Sequence, residues 1–488
     1  MSNTNSKGRA ERRFGVVGGL GAIGGADLLS KMIRANQRTA GSRASDIAFE
    51  QRHFDEGQAA AESTYDPTRR KFYVYNVLKA MEGRGINVAL IPCFVSHTFL
   101  KEVTPELGIR VVDIFDALRE RIRGEFPGVK TIGVLTSTYV QKTGIFEREF
   151  EGIAKIIYPA SQEQSDKLMD AIYGPRGVRA GHHGGECVDQ LVDVCTHLVA
   201  DGAEVILPGM TEVSVLIDIL RPRLPAPIID ANLVYAEHAI GADPERPRHQ
   251  FKLGVLGGVG PAATVDFMHK LVSLTQAARD QDHIKVIVEQ NPQIPDRTAN
   301  LIGSGEDPTI AMLATCRRLE ANGADAVAIP CNTAHAFVGR IQSQLGIPIV
   351  NMLSEVVAFV RTRMPEVSRL GLLATSGTVA SGVYREIVEP AGMTLLVPDE
   401  TVQARVMASI YGDRGVKAGH TSGECSEHLR AAIEHLRERG AEAIILGCTE
   451  LPLIELDAAL RRSIALLDPT EILARSCVEL ARGSEPVN

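Results

Sequence analysis

The sequence predicts an α/β protein built as a tandem repeat, in which each copy holds two parallel-sheet subdomains with a cleft between them. Two observations lead to this fold class. Sequence motifs recur at a constant distance along the chain, and within each copy short apolar runs alternate with longer segments of helical periodicity. Strands that alternate with helices form parallel sheets covered on both faces. The second copy has eight such runs in about 235 residues, which is many for one open sheet, so each copy is expected to divide in two.

The repeat is strongest in a glycine-rich segment. Residues 171–187 (AIYGPRGVRAGHHGGEC) and 409–425 (SIYGDRGVKAGHTSGEC) are identical at 12 of 17 positions. The segment IPCFVSHTF around Cys93 returns as IPCNTAHAF around Cys331. The offset is constant, because 409 minus 171 and 331 minus 93 both equal 238. A constant offset over this length indicates two copies of one fold.

The domain boundaries follow from the repeat. The first copy is predicted over residues 1–242 and the second over 251–488, with a linker at 243–250. The linker lies in GADPERPRHQ, a stretch rich in proline and charged residues. Such a composition is typical of a connection between domains.

The strands of the second copy are predicted from its apolar runs. In chain order these runs are KLGVLGG, IKVIVEQ, AVAIPC, IPIVN, RLGLLAT, MTLLVP, AIILGC and IALLD. Short loops follow them, and open α/β sheets bind their ligands at these carboxyl ends of the strands.

The composition excludes several classes of protein. The formal net charge is -8, from 52 Lys and Arg against 60 Asp and Glu, so no nucleic-acid partner is expected. The chain has no run of about 18 apolar residues, so no membrane partner is expected either. The N-terminal segment is polar and lacks the apolar stretch of a signal peptide. Eight cysteines without a CxxC pair indicate reduced thiols, and a cytoplasmic location is expected.

Two cysteines stand at positions suited to chemistry. Cys331 and Cys448 each end an apolar run and precede a segment that is expected to start a helix. A helix N-terminus lowers the pKa of a thiol and offers free N–H groups to an anion. Asn332, Thr333 and Thr449 add short polar side chains beside them. Two such thiols across a cleft could exchange protons with both faces of a carbon acid, which would be a racemisation without a cofactor.

The other cysteines are interpreted differently. A lone cysteine is usually a small buried hydrophobic residue, and several here share a helical face with leucine or isoleucine. The cysteines predicted to lie in the core are Cys187, Cys195, Cys316, Cys425 and Cys477.

The second copy, residues 251 to 480, resembles the aspartate/glutamate racemase superfamily and most closely its aspartate racemase branch. The resemblance depends on LGVLGGVGPAAT, IPDRTANL, PCNTAH, YGDRGVKAGH and LGCTEL, which follow the order of the family. It implies a racemase-like fold in both copies and two-base chemistry that is independent of pyridoxal phosphate. It also implies an acidic amino acid as substrate, with no cofactor and no metal.

The resemblance further implies roles for individual residues. The two cysteines of PCNT and GCTE would be the catalytic pair, and a second cationic anchor would hold the distal carboxylate of the substrate. The implied catalytic residues are Cys331 and Cys448, and the implied substrate-binding residues are Arg297, Asn332, Thr333, Thr378, Lys417 and Thr449. Two residues are expected to support them. His335 would either orient the first thiol or cap and pack its turn, and Glu450 would either position the second thiol or pair with a surface cation.

The first copy departs from this pattern. Met210 takes the position of Cys448, and FVS at 94–96 replaces NTA at 332–334. The segment 50–67 contains no counterpart of IPDRT. A methionine thioether neither takes nor gives a proton at neutral pH, so two-base racemisation in this copy is not expected.

The first copy also retains part of the pattern. Arg179 keeps a cation at the position of Lys417, and Cys93 and His97 remain. The first copy is therefore predicted to be a non-catalytic partner that takes the place of a second subunit, which would make the chain an internal pseudo-dimer. A homodimer of the whole chain, binding of a less polar ligand and one-cysteine chemistry stay open.

Other interpretations compete with a racemase. The glycine turn at 19–24 matches a dinucleotide-binding fingerprint, the turn at 258–263 nearly does, and Glu50 and Glu289 end the strands that follow. This pattern would suit an oxidoreductase.

Three further alternatives remain. Cys331, His335 and Cys448 supply the ligand types of a zinc site, although their spacing matches no short metal motif. The chain could also be a non-catalytic amino-acid-binding protein, or an isomerase or decarboxylase of another small carboxylic acid. The sequence leaves open whether the acid would be aspartate, glutamate or a modified acidic amino acid.

Overall fold

The computed structural model describes residues 12–39, 45–54, 64–241 and 250–483. The chain divides into two compact units, Met1–His249 and Gln250–Asn488. The linker predicted at 243–250 lies outside the described residues except for Gln250.

The first unit contains two parallel sheets. The first sheet has the strand order β2-β1-β3-β4 and the second has the order β6-β5-β7, with every pair of strands parallel. The strands are β1 (Arg13–Val17), β2 (Asp46–Glu50), β3 (Val88–Leu90), β4 (Arg110–Val111), β5 (Thr131–Leu135), β6 (Lys155–Ile157) and β7 (Val205–Pro208).

Helices connect and cover these strands. They are α1 (Ala22–Thr39), α2 (Thr68–Gly83), α3 (Phe94–His97), α4 (Leu100–Val103), α5 (Ile114–Glu125), α6 (Thr138–Lys142), α7 (Ile145–Glu149), α8 (Gln162–Tyr173), α9 (Glu186–Ala200), α10 (Ile217–Leu220) and α11 (Ala231–Gly241).

The second unit repeats this plan with two four-stranded parallel sheets, of order β11-β10-β8-β9 and β13-β12-β14-β15. All eight strands predicted from apolar runs are present, which confirms the predicted fold class. They are β8 (Lys252–Gly257), β9 (Lys285–Gln290), β10 (Ala326–Ala328), β11 (Ile349–Val350), β12 (Arg369–Leu373), β13 (Thr394–Leu396), β14 (Ala443–Leu446) and β15 (Ala465–Leu467).

The helices of the second unit follow the same order. They are α12 (Pro261–Leu274), α13 (Arg297–Leu301), α14 (Thr309–Ala321), α15 (Val338–Ile341), α16 (Met352–Arg363), α17 (Ser376–Ser381), α18 (Arg385–Val388), α19 (Glu400–Tyr411), α20 (Glu424–Glu438), α21 (Ala458–Ser463) and α22 (Pro469–Gly483).

The central strands explain why apolar runs predicted the sheets so well. β14 is buried along its whole length, and it pairs with β12 in the register Leu370 to Ala443 and Leu373 to Leu446. A central parallel strand has helices on both faces, so its sequence is continuously apolar rather than alternating. None of the helices in the described part of the chain is both long enough and apolar enough to cross a membrane.

A partly buried ionic cluster joins helix α12 to the start of α22. The Lys270 ammonium donates to Asp266 on its own helix and to Asp468, 2.6 Å away, just before α22. The first unit has the same arrangement around Lys31. Because both units keep this cluster, it belongs to the fold rather than to the chemistry of one unit.

Candidate active site

A small pocket opens between the two sheets of the second unit, at the carboxyl ends of their strands. The space between its atoms, part of which is open to solvent, measures about 290 Å³. Loops of both sheets contribute to it. The lining residues are Val259, Arg297, Thr298, Cys331, Asn332, Thr333, Thr375, Tyr411, Lys417, Cys448, Thr449 and Glu450.

The two candidate cysteines lie on opposite sheets of this pocket. Cys331 follows β10 and Cys448 follows β14, and their exposed fractions are only 7% and 6%. Eight of the ten site residues predicted from sequence line the pocket; Thr378 and His335 do not.

The helix starts expected after the cysteines are wrong. A 3₁₀ turn, Thr333–Phe337, follows Cys331, and another, Leu451–Leu453, follows Cys448. The first turn is held by an i to i+3 bond from the His335 N–H to the Asn332 carbonyl, 3.1 Å long. The second is held by a bond of the same kind, from the Leu453 N–H to the Glu450 carbonyl, 3.1 Å long. A long helix dipole therefore does not act on either thiol.

Two donors in the pocket lack partners. Neither Arg297 Nε nor Asn332 Nδ2 has a hydrogen-bond partner among the described residues, although both atoms are buried. The other end of the Arg297 guanidinium is held by the carbonyls of Ile294 and Pro295, at 3.2 and 3.1 Å. Buried donors without partners are costly, so the pocket is suited to a ligand that brings acceptor oxygens.

The Asn332 side chain is held from behind by a residue that sequence reasoning missed. The Tyr384 hydroxyl donates to Asn332 Oδ1 across 2.5 Å, and both side chains are buried. With Oδ1 engaged in this way, Nδ2 is the part of the amide that has no partner among the described residues.

Four threonine hydroxyls form a buried cluster beside the Cys331 turn. Thr333 Oγ1 lies 2.8 Å from Thr378 Oγ1 and 3.3 Å from Thr375 Oγ1, and Thr298 donates to Thr375 across 3.1 Å. Thr378, the predicted substrate contact, sits within this cluster and does not line the pocket. Its neighbour Thr375, which caps α17, lines the pocket instead.

Cys448 belongs to a buried charge network. Glu450 accepts from Lys417 Nζ through one oxygen, at 2.6 Å, and from Cys448 Sγ through the other, at 3.1 Å. Burial raises the pKa of Cys448 well above its ordinary value, the Glu450 charge adds to this, and Lys417 opposes it. Burial alone would lower the pKa of Lys417, but Glu450 raises it. Cys448 is therefore held as a protonated thiol, and Glu450 both positions the thiol and pairs with a cation.

The glycine turn at 258–263 packs against this network. Gly260 has a φ of +120°, and a Cβ atom there would lie 2.6 Å from Glu450 Oε1. The turn is thus occupied by a protein carboxylate, where the dinucleotide interpretation required a phosphate. Glu289, the expected ribose ligand, is paired with Arg318 at 2.9 Å.

His335 supports the backbone of the first turn and does not touch its thiol. Its Nε2 accepts from the Met352 N–H at 3.0 Å, which leaves Nδ1 as the donor to the Cys331 carbonyl at 2.9 Å. Of the two roles left open for His335, the structure shows the capping one. Both ring nitrogens of His335 are engaged by the backbone, so neither is directed at Cys331 Sγ and Cys448 Sγ as the zinc interpretation requires. In the described ranges no group of three or more potential ligands is placed to hold a metal.

Comparison with known sequences identifies the family. The sequence profile described as Asp/Glu/Hydantoin racemase matches two stretches of the chain, 17–239 and 256–477. The chain belongs to this racemase family. It is therefore an enzyme of that family in which the family domain occurs twice, as the sequence predicted.

Individual racemases are similar to half of this chain or less. Broad specificity amino-acid racemase RacX of Bacillus subtilis (strain 168) is 27% identical over 238 residues, which cover 46% of this chain and 96% of that protein. A glutamate racemase of Synechococcus sp. (strain CC9605) is 30% identical over 165 residues, 33% of this chain and 58% of the relative. The solved structure of Picrophilus torridus aspartate racemase is 29% identical, covers 49% of this chain and 96% of its own, and gives a TM-score of 0.43.

The first racemase copy keeps the charge network, but it has apolar residues where the second copy has Asn332 and Thr333. Arg179 Nε donates to Glu212 across 2.7 Å, while the buried Met210 stands where Cys448 stands in the second copy. Cys93 is retained and accepts a hydrogen bond from the buried Arg70, 3.0 Å away. The predicted lack of an IPDRT loop concerns a segment of which 55–63 lie outside the described residues.

The remaining cysteines are buried in the cores of the two racemase copies, as predicted. Cys195, Cys316 and Cys477 are fully buried, and burial raises the pKa of each thiol to about 12. Cys187 and Cys425 are 1% exposed.

Sequence reasoning missed several residues of the racemase pocket, namely Val259, Thr298, Thr375 and Tyr411. All four lie in segments that were recognised: Val259 in LGVLGGVG, Thr298 at the end of IPDRT, Thr375 at the end of RLGLLAT and Tyr411 at the start of YGDRG. Their position in the sequence, close to the predicted site residues, could have identified them.

His335 makes the stability of the second unit dependent on pH. Burial lowers the pKa of His335 to about 4, below the value of about 6.5 expected in the unfolded chain. The neutral form is therefore stabilising above pH 6.5, and this contribution is lost as the pH falls toward 4. Between pH 7 and pH 5 the loss amounts to about 2 kcal/mol in the free energy of unfolding.

Urea unfolding followed by circular dichroism at the two pH values measures this effect. We expect His335→Gln to be less stable than the wild type at pH 7 and to lose about 2 kcal/mol less on acidification. His420→Gln, at an exposed histidine, is the matched control and should follow the wild type. An unchanged pH dependence in His335→Gln would contradict the assignment.

Proposed function

We propose that the second unit interconverts the L- and D-enantiomers of an acidic amino acid without a cofactor, with Cys331 and Cys448 as the two bases. One observation carries this proposal: two buried thiols from opposite sheets line the same pocket as two unpaired donors, Arg297 Nε and Asn332 Nδ2. We further expect the reaction to take place in the cytoplasm.

The donors define how an amino dicarboxylate would be held. The α-carboxylate would accept hydrogen bonds from Asn332 Nδ2 and from the hydroxyls of Thr333 and Thr449. The distal carboxylate would face Arg297, whose planar guanidinium suits carboxylate oxygens. Lys417 would contribute positive charge while it remains paired with Glu450.

The protons are conserved in each direction. In one direction Cys331 takes the proton from Cα, and Cys448, which rests as a thiol, gives its own proton to the opposite face. That turnover leaves Cys331 as a thiol and Cys448 as a thiolate, so in the other direction Cys448 takes the proton from Cα and Cys331 gives its own proton to the opposite face. Asn332 and the threonine hydroxyls stabilise the negative charge that develops on the carboxylate when Cα is deprotonated.

The first unit is proposed to be non-catalytic. Its second base is replaced by Met210, and Phe94 takes the place of Asn332, so neither the proton relay nor the carboxylate donor is present there. Cys93 is the natural control residue, because it occupies in the first unit the position that Cys331 occupies in the second.

Removing either proposed base should abolish turnover. Each direction of racemisation needs one base and one acid, so we expect Cys331→Ala and Cys448→Ala each to lower kcat by at least about 1,000-fold. Polarimetry or chiral chromatography with aspartate and glutamate measures the rates. Cys93→Ala should remain within about twofold of the wild type.

Substantial racemisation by either single variant would disprove the two-base assignment. Loss of activity in Cys93→Ala, with an unchanged fold, would instead place chemistry in the first unit.

Substrate choice should depend on Arg297. Truncating one partner of a buried charge pair costs about 2–5 kcal/mol, so Arg297→Ala is expected to lower kcat/KM for aspartate or glutamate by at least about 30-fold. For alanine, which has no distal carboxylate, the change should be below about threefold. Arg297→Lys, which keeps the charge, is expected to lie between them. A wild type that turns over alanine as fast as aspartate would show a broader specificity than the one proposed here.

A further inference from the structure

Tyr384 is the largest polar side chain buried behind the pocket. It is 1% exposed, and its hydroxyl donates to Asn332 Oδ1 at 2.5 Å. Burial raises the pKa of Tyr384 above its ordinary value, so the phenol keeps its proton and remains a donor. Because Oδ1 is thereby engaged, the Nδ2 group is the part of the amide that is left for a ligand.

The first unit shows what replaces this pair when the chemistry is lost. By the constant offset of 238, Asn332 corresponds to Phe94 and Tyr384 corresponds to Phe146. These two phenylalanines stack, with ring centroids 5.5 Å apart and planes inclined by 27°. One chain therefore contains the same contact in two forms, a polar pair and an apolar pair. The tyrosine hydroxyl is present in the copy that has the amide and absent from the copy that lacks it.

We propose that Tyr384 is a positioning residue, which holds the Asn332 amide with its Nδ2 group directed at the α-carboxylate of the substrate. The inference rests on the proposed function of the second unit. Without the tyrosine hydroxyl the amide can rotate, and a rotated amide would present Oδ1, an acceptor, to the negatively charged carboxylate. Tyr384 thus acts on the substrate only through Asn332.

Tyr384→Phe in the full-length protein tests this role. We expect KM for aspartate or glutamate to rise about tenfold, the effect of one lost hydrogen bond to a charged group, and kcat to fall as well, because Asn332 also stabilises the charge that develops on the carboxylate. Calorimetric titration with equilibrated DL-aspartate should show a matching rise in Kd. Tyr235→Phe is the matched control, because Tyr235 is an equally buried tyrosine of the first unit, with its hydroxyl 2.6 Å from the Val112 carbonyl. It should leave KM and Kd unchanged.

The effect of Tyr384→Phe in the Asn332→Ala variant separates a positioning role from a purely structural role. In Asn332→Ala the amide is gone, so adding Tyr384→Phe should change neither KM nor Kd further. A structural defect would instead raise both KM and Kd by the same factor in either background, and that result would overturn the proposal. Unchanged KM and Kd in Tyr384→Phe would overturn it as well, while racemisation by the wild type would still support the proposed function.

The binding measurement distinguishes failure of the proposed function from failure of this inference. A wild type that binds aspartate or glutamate in a Tyr384-dependent manner, yet racemises neither, would refute the racemisation and leave the positioning role standing. A wild type that binds neither acid would overturn both, since no carboxylate would then be held by Asn332.

Discussion

The ion pair between Lys417 and the buried Glu450 is the contact on which the candidate site depends. A carboxylate that is 4% exposed needs a cation nearby, because an unpaired buried charge costs several kcal/mol. Glu450 uses its second oxygen to hold Cys448, so the same residue compensates a charge and places a thiol. The glycine turn must come close enough to touch Glu450, and only a residue without a side chain fits at Gly260. The positions of these four residues therefore depend on one another.

Comparison with the first unit distinguishes the features that the fold requires from those that the proposed chemistry requires. It keeps the ion pair as Arg179 with Glu212, and Gly21 again lies against that carboxylate, where a Cβ atom would be 2.7 Å from Oε1. It does not keep the second cysteine, which is Met210, or the amide, which is Phe94. A cation at this position is therefore not by itself a sign of substrate binding. The differences that bear on catalysis are the second thiol and the polar side chains beside Cys331, which the second unit has and the first unit replaces with Met210 and Phe94.

Much of this arrangement could be predicted from the sequence, because it depends on local patterns. Buried parallel strands are continuously apolar, and loops at their carboxyl ends must converge, so the turns of Cys331 and Cys448 were placed correctly. Features that depend on distant parts of the chain were not predictable in the same way. Thr375 lines the pocket and Tyr384 supports it only because other loops bring them there. The role of His335 depends on a backbone N–H seventeen residues away, and the short 3₁₀ turns depend on i to i+3 bonds that the hydrophobic pattern does not reveal.

The central claim is that two thiols act on opposite faces of one Cα atom, and the fate of the Cα hydrogen tests it most directly. The wild-type chain is incubated with L-aspartate or L-glutamate in D₂O, and both enantiomers are separated and analysed by mass spectrometry at low conversion. A two-base reaction places solvent deuterium in the D-product from the first turnover, while the remaining L-substrate is still largely unlabelled. A D-product that retains the original hydrogen, or label that enters both enantiomers equally from the start, would contradict the account.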